Sequence, residues 1–579
     1  MTTPISTIDL HVHSKYSGTA EDWYLNLLQA SESYTEIEEV YQKARLQGRQ
    51  FVTITDHDQI SGVMQLKEKY PDNVLTGVES TVLFPEDRCK VHILVFGLSE
   101  NDFWALQRFR KDIYQFRDYI KEKNLAYSVA HPLLAMDRIY AITHLEKLTL
   151  LFDVFETRNG SQSITLNNTW FEYLSSLTPE RIEDLYRRYR IEPISDTPWQ
   201  KGYTGGSDDH GGLYIGRTYT IAEAQTANEF LVSLKNKNSM AGGAHGTYQE
   251  LANSILKVTY ETLRRRNNNK LNHPLVKSIA AHTFEGKPLS WYDRAQIYFL
   301  QTFLQRSNRP THKIAYTAIN HLTSKNAKPD ENVDLFTRMV HLSDDLLQDW
   351  VGQLNDNNPK NPSALLKNVM ANIAGLLVSL PYFAGLGFIQ QNRSLINDAK
   401  AMFHRQDACD CKKTLWFSDD ISEAVSIDLF CAPSVKLVQS FQKNKVSGDR
   451  LVNLPQISFI NIDTEKGISL SIPSPLRSLE ILTSLEPDQI IISTTGPIGI
   501  LGLIYARLMK IPAIGFIQPD FHQKWFASVK EDEMKHWLQQ FHSWFISLLD
   551  QVIEPQVTKR YSFPEYLLRE NQPVDMKIR

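Results

Sequence analysis

The sequence predicts an α/β protein made of three parts. Residues 1–247 alternate short apolar runs with amphipathic helical patterns, residues 248–405 carry long helical patterns, and residues 406–579 return to alternating strands and helices. At 579 residues the chain is too long for one hydrophobic core, because single domains usually hold about 100–200 residues. These observations predict an α/β barrel, an all-helical segment and a doubly wound α/β domain, in that order.

The first part contains seven apolar runs that each end in polar residues, the pattern of a buried strand. They are STIDLHVH, RQFVTITDHD, NVLTGVES, KVHILVFGL, LAYSVAHP, LFDVFETRNG and GYTGGSDDH. Helical patterns such as YTEIEEVYQKARLQG and FWALQRFRKDIYQFRDYIKEKN lie between several of them. Strands and helices that alternate at this rate predict a parallel sheet, and repeats in this number favour a barrel.

The second and third parts differ in periodicity. Residues 248–405 show helical runs separated by the polar linkers NNNKLNHP, EGKPLS, KPDENV and NDNNPKNP, with no motif that indicates chemistry. Strands return after about residue 412 in KTLWFSD, QISFINI, DQIIIST and IPAIGFIQPD, with helical patterns between them. This alternation predicts a doubly wound domain.

Composition narrows the function classes. A net charge of -4 and a pI near 6.5 give no overall field toward nucleic acid or an anionic membrane. The start, MTTPISTIDLHVH, lacks the basic and apolar regions of a signal peptide. Four cysteines are too few for a disulfide framework, which predicts a cytoplasmic protein. Cys409, Cys411 and Cys431 are more typical of buried or free thiols than of a metal site.

One uncharged segment raises the question of a membrane. Ile373–Ile389, IAGLLVSLPYFAGLGFI, carries no charge over a length at the lower limit of a membrane span. It also contains Pro381 and several glycines. We predict a buried helical hairpin broken at Pro381; the alternative is a span or a membrane-dipping segment, and with it a peripheral membrane association.

Histidines and acids recur at the predicted strand ends of the first part. They are His11, His13, Asp56, His57, Asp58, Glu79, His92, His131, Asp208 and His210. Each alone is typical of a satisfied core or loop residue, but parallel barrels build their sites from the carboxyl ends of several strands. Imidazole and carboxylate together bind zinc, iron or manganese. In GGSDDHGG, Asp208 and His210 share one side if the backbone is extended, and Asp209 points away.

These motifs resemble the PHP domain, named for polymerases and histidinol phosphatases. IDLHVHSKYS, TITDHD, TGVES, VHILVFGL, VAHP and GGSDDH follow the order of its motifs over about residues 6–220. The resemblance implies a distorted PHP-type (β/α) barrel and two or three divalent ions, zinc, manganese or iron. The implied ligands are His11, His13, Glu79 and Asp208 for one ion, Glu79, His92 and His131 for a second, and His57 and His210, with Asp56, for a third.

The third ion is left open by a departure from the family pattern. Members with a complete third site often have a further Asp or His a few residues after the HxH pair. This chain has Gly18 or Thr19 there, and Glu21 or Asp22 could substitute.

The resemblance implies hydrolysis of a phosphate ester by a hydroxide that bridges the ions. The predicted catalytic residues are His57, His210 and Asp56, with the two histidines positioning groups or transferring a proton to the leaving group. The predicted substrate-binding residues are Arg217, Glu156, Asn159 and His245. Arg217 is a phosphate clamp or a surface ion pair, and His245 is a rim residue or a turn histidine. The predicted substrate is a phosphorylated small molecule or a nucleotide.

The third part resembles the N-terminal lobe of two-lobed (GT-B) glycosyltransferases of group 1. The resemblance rests on Pro487–Phe521 and on KKTLWFSDD, and PHP domains fused to such enzymes form a known bacterial arrangement. DDISEAVSIDLF replaces the expected Gly-rich loop, Gln518 replaces a usual His, and no second lobe follows before Arg579. We therefore expect a degenerate or docking domain, or half of a split enzyme whose other lobe is a separate partner.

Three functions follow from the sequence. The first is a metal-dependent phosphoesterase of the PHP type. The second is part of a split or degenerate glycosyltransferase in which the PHP domain is accessory. The third is a non-catalytic binding or regulatory protein, which metal content would separate from the first.

Overall fold

A computed structural model describes most of the chain. The described residues are 4–18, 26, 28–266, 271–307, 309–323, 331–357, 362–366, 377–403, 412–419, 434–440, 450–463, 468–516, 529 and 532–553. The chain divides into two compact units, the first formed by Met1–Lys277 and Ala384–Gln406, the second by Ser278–Phe383 and Asp407–Arg579. The three domains predicted from the sequence, 1–247, 248–405 and 406–579, stay predictions.

The first unit contains two sheets. Its strands are β1 Ile5–Asp9, β2 Phe51–Val52, β3 Gly77–Leu83, β4 Lys90–Phe96, β5 Ala126–Val129, β6 Val154–Asn159, β7 Gly202–Gly206, β8 Thr218–Glu223 and β9 Ser239–Gly243. One sheet has the order β2-β1-β8-β9 and the other β3-β4-β5-β6-β7. The fold class is therefore mixed α/β, as the alternating pattern predicts.

The prediction of a wholly parallel sheet is wrong. Strands β5, β6 and β7 are parallel, but β3, β4 and β5 pair antiparallel, as do β1, β8 and β9. The cause at β3–β4 is a tight connection, Phe84–Cys89, in which Phe84 N donates to Cys89 O and Arg88 has a φ of 65°. A connection this short returns the chain beside the strand it has just left.

No continuous ladder closes a barrel in the part of the first unit that the structure describes. The edges of the two sheets are instead joined by isolated bridges, Val52–Val74, His57–Glu79 and Val12–Asp209. The last two involve residues that carry, or adjoin, the predicted ligands. The two sheets thus approach each other where the histidines and acids lie.

Helices cover the sheets of the first unit, and their ends follow local chemistry. They are α1 Ile37–Leu46, α2 Ser61–Lys69, α3 Glu100–Phe109, α4 Ile113–Lys123, α5 Ile142–Leu151, α6 Ile164–Ser175, α7 Pro179–Tyr189, α8 Ala227–Lys235, α9 Tyr248–Arg266 and α15 Arg393–Phe403. Ser99 and Asp102 form a capping box at α3. The Asp112 carboxylate caps α4, which ends at Asn124 in the left-handed region. Packing of Phe155 against Trp170 contributes to the core.

The second unit contains a parallel sheet and a separate hairpin. Its strands are β10 Thr414–Phe417, β11 Val435–Ser440, β12 Leu451–Leu454, β13 Gln456–Asp463, β14 Ile468–Pro473, β15 Gln489–Ile492, β16 Ala513–Phe516 and β17 Gln551–Ile553. The sheet has the order β12-β11-β10-β15-β16-β17, and all its pairs are parallel. The strand order reverses between β10 and β15, as it does in doubly wound sheets. QISFINI, predicted to belong to the sheet, forms the hairpin β13–β14.

The remaining helices lie in the second unit, except for two helices whose residues are divided between the two units. They are α10 Pro274–Glu285, α11 Trp291–Gln305, α12 Pro310–Thr323, α13 Glu331–Asn357, α14 Leu380–Ile389, α16 Pro475–Thr483, α17 Pro497–Met509 and α18 Asp532–Ser547. Pro381 lies in the first turn of α14, where its missing N–H breaks no helical hydrogen bond. Residues 373–376 of the predicted hairpin lie outside the described residues. Among the described residues, no helix is long and apolar enough to cross a bilayer.

Of the four cysteines, Cys89 lies within the described residues. Cys89 is buried as a free thiol, and burial raises its pKa to about 12. Cys409, Cys411, Cys431 and Gln518 lie outside the described residues.

Gly206, at the end of β7, lets two backbones approach closely. A Cβ atom built at Gly206 would lie 2.3 Å from Cβ of His11 and 2.5 Å from its backbone N. Any side chain here therefore pushes β7 away from the HxH segment after β1.

We predict that Gly206→Ala destabilises the first unit, because an added methyl group forces the backbone to shift at a cost of about 1–3 kcal/mol. The midpoint of thermal unfolding should fall by several degrees. Gly18→Ala is the control, since nothing lies within 4 Å of a Cβ built there. Equal unfolding midpoints for the two variants would contradict the account of this contact.

Candidate metal centre

The predicted ligands come together from two kinds of position, either after the end of a strand or inside a strand. His11 and His13 follow β1, His57 follows β2, His131 follows β5, and Asp208 and His210 follow β7. Glu79 and His92 instead lie inside β3 and β4. The prediction that all of them follow strand ends is therefore wrong for this pair. Antiparallel strands end at opposite edges, so an interior position is needed for the two side chains to meet.

The carboxylate of Glu79 is fully buried, and its two oxygen atoms face different imidazoles. Oε1 lies 2.8 Å from Nδ1 of His92 and 3.1 Å from Nε2 of His131. Oε2 lies 3.1 Å from Nε2 of His11 and 3.3 Å from Nε2 of His13. A carboxylate divided in this way is suited to bridge two metal ions.

Asp208 completes the group around His11 and His13. Its Oδ1 lies 3.4 Å from Nε2 of His11 and 3.3 Å from Nε2 of His13. Its Oδ2 accepts hydrogen bonds from Asn159 Nδ2 at 3.1 Å and from Ser161 Oγ at 2.9 Å. Because Oδ2 is held in this way, Oδ1 is directed at the two imidazoles.

Glu32 is a site residue that sequence reasoning missed. Its Oε2 lies 3.3 Å from Nε2 of His57, and its Oε1 lies 3.6 Å from Nε2 of His210. The other ring nitrogen of His57 is 3.2 Å from Oε2 of Glu79. No motif spacing marks Glu32, which lies in a loop well beyond the HxH pair. The predicted substitutes, Glu21 and Asp22, lie outside the described residues.

Burial and neighbouring charges shift the pKa in opposite directions at Glu79 and at His57, whereas at His13 burial and the charge of His210 act together. Burial alone would raise the pKa of Glu79, but the charges of the imidazoles, His57 first, hold it well below 4.5. Burial would lower the pKa of His57, yet Glu79 and Glu32 raise it to about 10. Burial and His210 lower the pKa of His13 to about 3. Protons therefore compensate the buried carboxylates in part, and a bound cation would displace them.

The residues fit a divalent metal. Nδ1 of His92 and Nε2 of His13 are buried within 2.8 and 3.3 Å of a Glu79 oxygen, yet neither makes a hydrogen bond of acceptable geometry. Two nitrogen or oxygen ligands of one tetrahedral zinc ion lie about 3.3 Å apart, since each is about 2.0–2.1 Å from the metal. The distances from the His11 and His13 nitrogens to the Glu79 and Asp208 oxygens run from 3.1 to 3.4 Å.

Four groups of three side chains hold their ligand atoms within 4.8 Å of one another. They are His13, His57 and His210; His11, His131 and Asp208; His11, His13 and Glu79; and His57, Glu79 and His92. The groups share His11, His13, His57 and Glu79, so the candidate ligands form one continuous cluster.

Glu156 and Asn159, predicted to contact substrate, lie behind the ligands. Glu156 Oε1 is 3.1 Å from Nδ1 of His11, and its Oε2 accepts from His131 N at 2.8 Å and from Asn159 Nδ2 at 2.9 Å. An N–H donated from Nδ1 to Glu156 leaves Nε2 of His11 with a free lone pair, the arrangement that orients metal-bound imidazoles.

Asp56, predicted as a catalytic residue, is bonded to the loop after β1. Its carboxylate accepts from Ser14 N at 2.6 Å, from Ser14 Oγ at 2.7 Å and from Ser17 Oγ at 3.0 Å. Ser17 Oγ is also 3.0 Å from Nδ1 of His13. Asp56 is thus linked to His13 through Ser17.

The GGSDDHGG segment is not extended at Asp208, which was the condition for Asp208 and His210 to share one side of a strand. Asp208 lies in the left-handed region with a φ of 50°, as does His131 with a φ of 27°. Non-glycine residues in this region store strain, which is typical of functional sites. Asp209 does point away from the cluster, but it is buried and accepts from the backbone N–H groups of Gly211, Gly212 and Tyr214.

A cavity of about 560 Å³ opens over the cluster. The ligand candidates that line it are Glu32, His57, His92, His131, Asp208 and His210. Arg217, Glu156, Asn159 and His245 are not among its lining residues. Arg217 Nη1 donates to Glu250 at 2.6 Å, and His245 Nδ1 is 3.0 Å from Asn167 Nδ2. The arginine that does line the cavity is Arg138.

The second unit offers a further crevice where the strand order reverses between β10 and β15. Ligands of doubly wound sheets bind at such a point, often with an anion at a helix N-terminus. Here the buried Asp419 carboxylate occupies the start of α17, accepting from Ile498 N at 3.0 Å and from Thr494 Oγ1. The chain's own carboxylate therefore takes the place of an anion. The likeness to a glycosyltransferase lobe stays a prediction.

Comparisons with known proteins find distant similarity to solved structures. No protein-family model and no curated protein matches the chain. Similar solved structures include an amidohydrolase from Chromobacterium violaceum, with 17% identity, a TM-score of 0.24, and coverage of 35% of this chain and 87% of that one. PsfC from Pseudomonas syringae PB-5123 gives 15% identity, a TM-score of 0.27, and coverage of 45% and 98%. A protein from Bifidobacterium adolescentis assigned as a metal-dependent phosphoesterase gives 16% identity, a TM-score of 0.21, and coverage of 40% and 96%.

We predict that Glu156→Ala weakens divalent-metal binding by about 10–100-fold, because His11 loses the group that fixes its ring and its tautomer. Glu156→Gln should weaken it less, since the amide oxygen still accepts from Nδ1. The measurement is competition with a chromophoric chelator. Wild-type affinity in the alanine variant would show that Glu156 does not position His11.

Proposed function

We propose that the first unit is a metal-dependent phosphoesterase of the PHP type. The observation that carries the proposal is the buried Glu79 carboxylate, whose two oxygen atoms face different imidazoles: Oε1 faces His92 and His131, and Oε2 faces His11, His13 and His57. Such a shared carboxylate is suited to two adjacent ions, the arrangement that many phosphatases use. The order of the PHP-like motifs along the chain supports the phosphoester as the reacting bond.

We take three sets of ligands from the resemblance to the PHP domain, with Glu32 added to the third, and the distances are compatible with them. The sets are His11, His13, Glu79 and Asp208 for one ion, Glu79, His92 and His131 for a second, and Glu32, His57 and His210 for a third. Glu32 supplies the carboxylate that the sequence leaves undecided between Glu21 and Asp22.

Divalent ions bound in these sets would supply an activated water nucleophile and neutralise charge on the phosphoryl oxygens. The protein's own residues orient that chemistry. Glu156 and Asn159 hold His11 and Asp208 from behind, and Asp56 holds the loop of His13 through Ser17. We assign these three residues to positioning.

His57 and His210 face the cavity and have two alternative roles. With a third ion present, their Nε2 atoms are ligands together with Glu32. With two ions, an Nε2–H of either ring is placed to give a proton to the leaving oxygen. The number of bound ions therefore decides between the two roles.

Arg138 is our candidate for the group that holds the phosphoryl oxygens, because it is the arginine among the residues that line the cavity. A guanidinium can donate two parallel hydrogen bonds to a phosphate. Arg217, the residue predicted from the sequence, is engaged with Glu250.

We predict that the metal-loaded protein holds three ions per chain and that Glu32→Ala lowers this to two, because the third set loses its carboxylate. The measurement is elemental analysis after loading and desalting. Glu36→Ala is the control, since Glu36 is exposed and pairs with Lys15. Equal stoichiometry in wild type and Glu32→Ala would remove Glu32 from the ligands, and far less than one ion per chain would favour a non-catalytic protein.

We predict that converting His11 and His13 to Ala lowers kcat/KM for an aryl phosphate by at least about a thousandfold, since the bridging set is destroyed. The assay uses added manganese or zinc. His536→Ala, an exposed histidine in the second unit, is the control. A folded double variant with wild-type turnover would refute the assignment.

We predict that Arg138→Ala raises KM by about 10–100-fold, because a hydrogen bond to a charged partner is worth about 1.5–3 kcal/mol. Arg217→Ala is assayed beside it, with the metal content of both variants checked. A raised KM in Arg217→Ala and an unchanged KM in Arg138→Ala would return the role to Arg217.

A further inference from the structure

Two chemically different sets of residues line the cavity over the metal centre. One set is the candidate ligands, all imidazoles and carboxylates. The other set, which we call the apolar wall, consists of Leu134, Met136, Leu251, Ile255, Val258 and Phe388. Polar residues such as Ser254 and Gln391 also line the cavity. A phosphate ester bound with its phosphoryl group at the ligands would therefore have apolar side chains available to the rest of the molecule.

Helix α9 supplies half of this apolar wall. Leu251, Ile255 and Val258 follow a spacing of four and then three residues, which places them on one face of the helix. Ile255 and Val258 are only 4% and 2% exposed and also pack with Ala30 and Ala384. The wall is therefore fixed by the core of the first unit rather than by loose surface side chains.

Several polar side chains that line the cavity are already bonded within the protein. The Tyr214 hydroxyl accepts from Asn253 Nδ2 at 3.0 Å. Glu250 accepts from Arg217, and Asp209 accepts from three backbone N–H groups. The hydroxyl groups of a sugar or polyol would have to compete with these bonds, whereas an apolar group would not.

We propose that the substrate is a phosphate ester of an apolar alcohol, an alkyl or aryl phosphate rather than a sugar phosphate or nucleotide. The proposal rests on the proposed function, because it places the phosphoryl group at the metal ligands. The apolar part of the ester lies against α9 and Phe388, and removal of the ester's own apolar surface from water supplies binding energy. The sequence alone leaves the choice open between a phosphorylated small molecule and a nucleotide.

Binding is tested apart from catalysis with alkylphosphonates, whose C–P bond is not a phosphoester. Calorimetry on the metal-loaded full chain compares methylphosphonate, butylphosphonate and hexylphosphonate. Each added methylene should tighten binding by roughly fourfold while the chain still enters the cavity. Equal affinity for all three would overturn the proposal.

Selectivity is tested by kcat/KM for hexyl phosphate and glycerol phosphate. Hexyl phosphate should be preferred by at least about thirtyfold. Val258→Thr keeps the shape of the side chain but adds a hydroxyl, and it should lower this ratio by about fivefold. Val232→Thr is the matched control, since Val232 is 49% exposed on α8. Because kcat/KM for both esters is measured on the same preparation, any loss of folded or metal-loaded protein cancels in their ratio.

The outcomes separate this proposal from the proposed function. Equal or reversed selectivity with good turnover leaves a phosphoesterase and overturns the apolar substrate. No turnover of any ester, with hexylphosphonate still bound far more tightly than methylphosphonate, refutes the phosphoesterase and supports the apolar pocket. Failure of both turnover and phosphonate binding overturns both.

Discussion

The buried carboxylate of Glu79 is the constraint on which the site depends. Burying an ionised carboxylate costs free energy unless opposite charges surround it. Imidazoles from four separate segments supply that charge, at distances of 2.8 to 3.3 Å. The left-handed backbone at Asp208 and His131, and the close approach at Gly206, are costs of bringing these segments together. Metal ions in place of the protons would turn this costly cluster into a stabilising one.

Helix α9 links the site to the chain beyond the predicted barrel. Thr262 donates to the Tyr34 hydroxyl, in the loop that carries Glu32, and Asn253 donates to Tyr214, just after GGSDDHGG. The same helix lines the cavity with Leu251, Ile255 and Val258. One element thus contacts two loops that carry candidate ligands and lines the cavity beside them.

The sequence predicts which residues cluster better than it predicts the topology. Periodic apolar runs ending in His or Asp point to His11, His57 and Asp208, because the pattern depends on neighbouring residues alone. The antiparallel pairing that puts Glu79 inside its strand depends on contacts between distant segments, which no local pattern records. Glu32 is hidden for the same reason. Its loop is fixed by packing on α9, and neither spacing nor composition indicates that contact.

The most direct test of the metal centre is anomalous diffraction from crystals of the full chain grown with manganese or zinc, recorded on both sides of the absorption edge. The account predicts one peak among His11, His13, Glu79 and Asp208, a second between Glu79 and the imidazoles of His92 and His131, and a third beside Glu32. Crystals without anomalous density at Glu79, with its oxygen atoms hydrogen-bonded to protonated histidines, would contradict it.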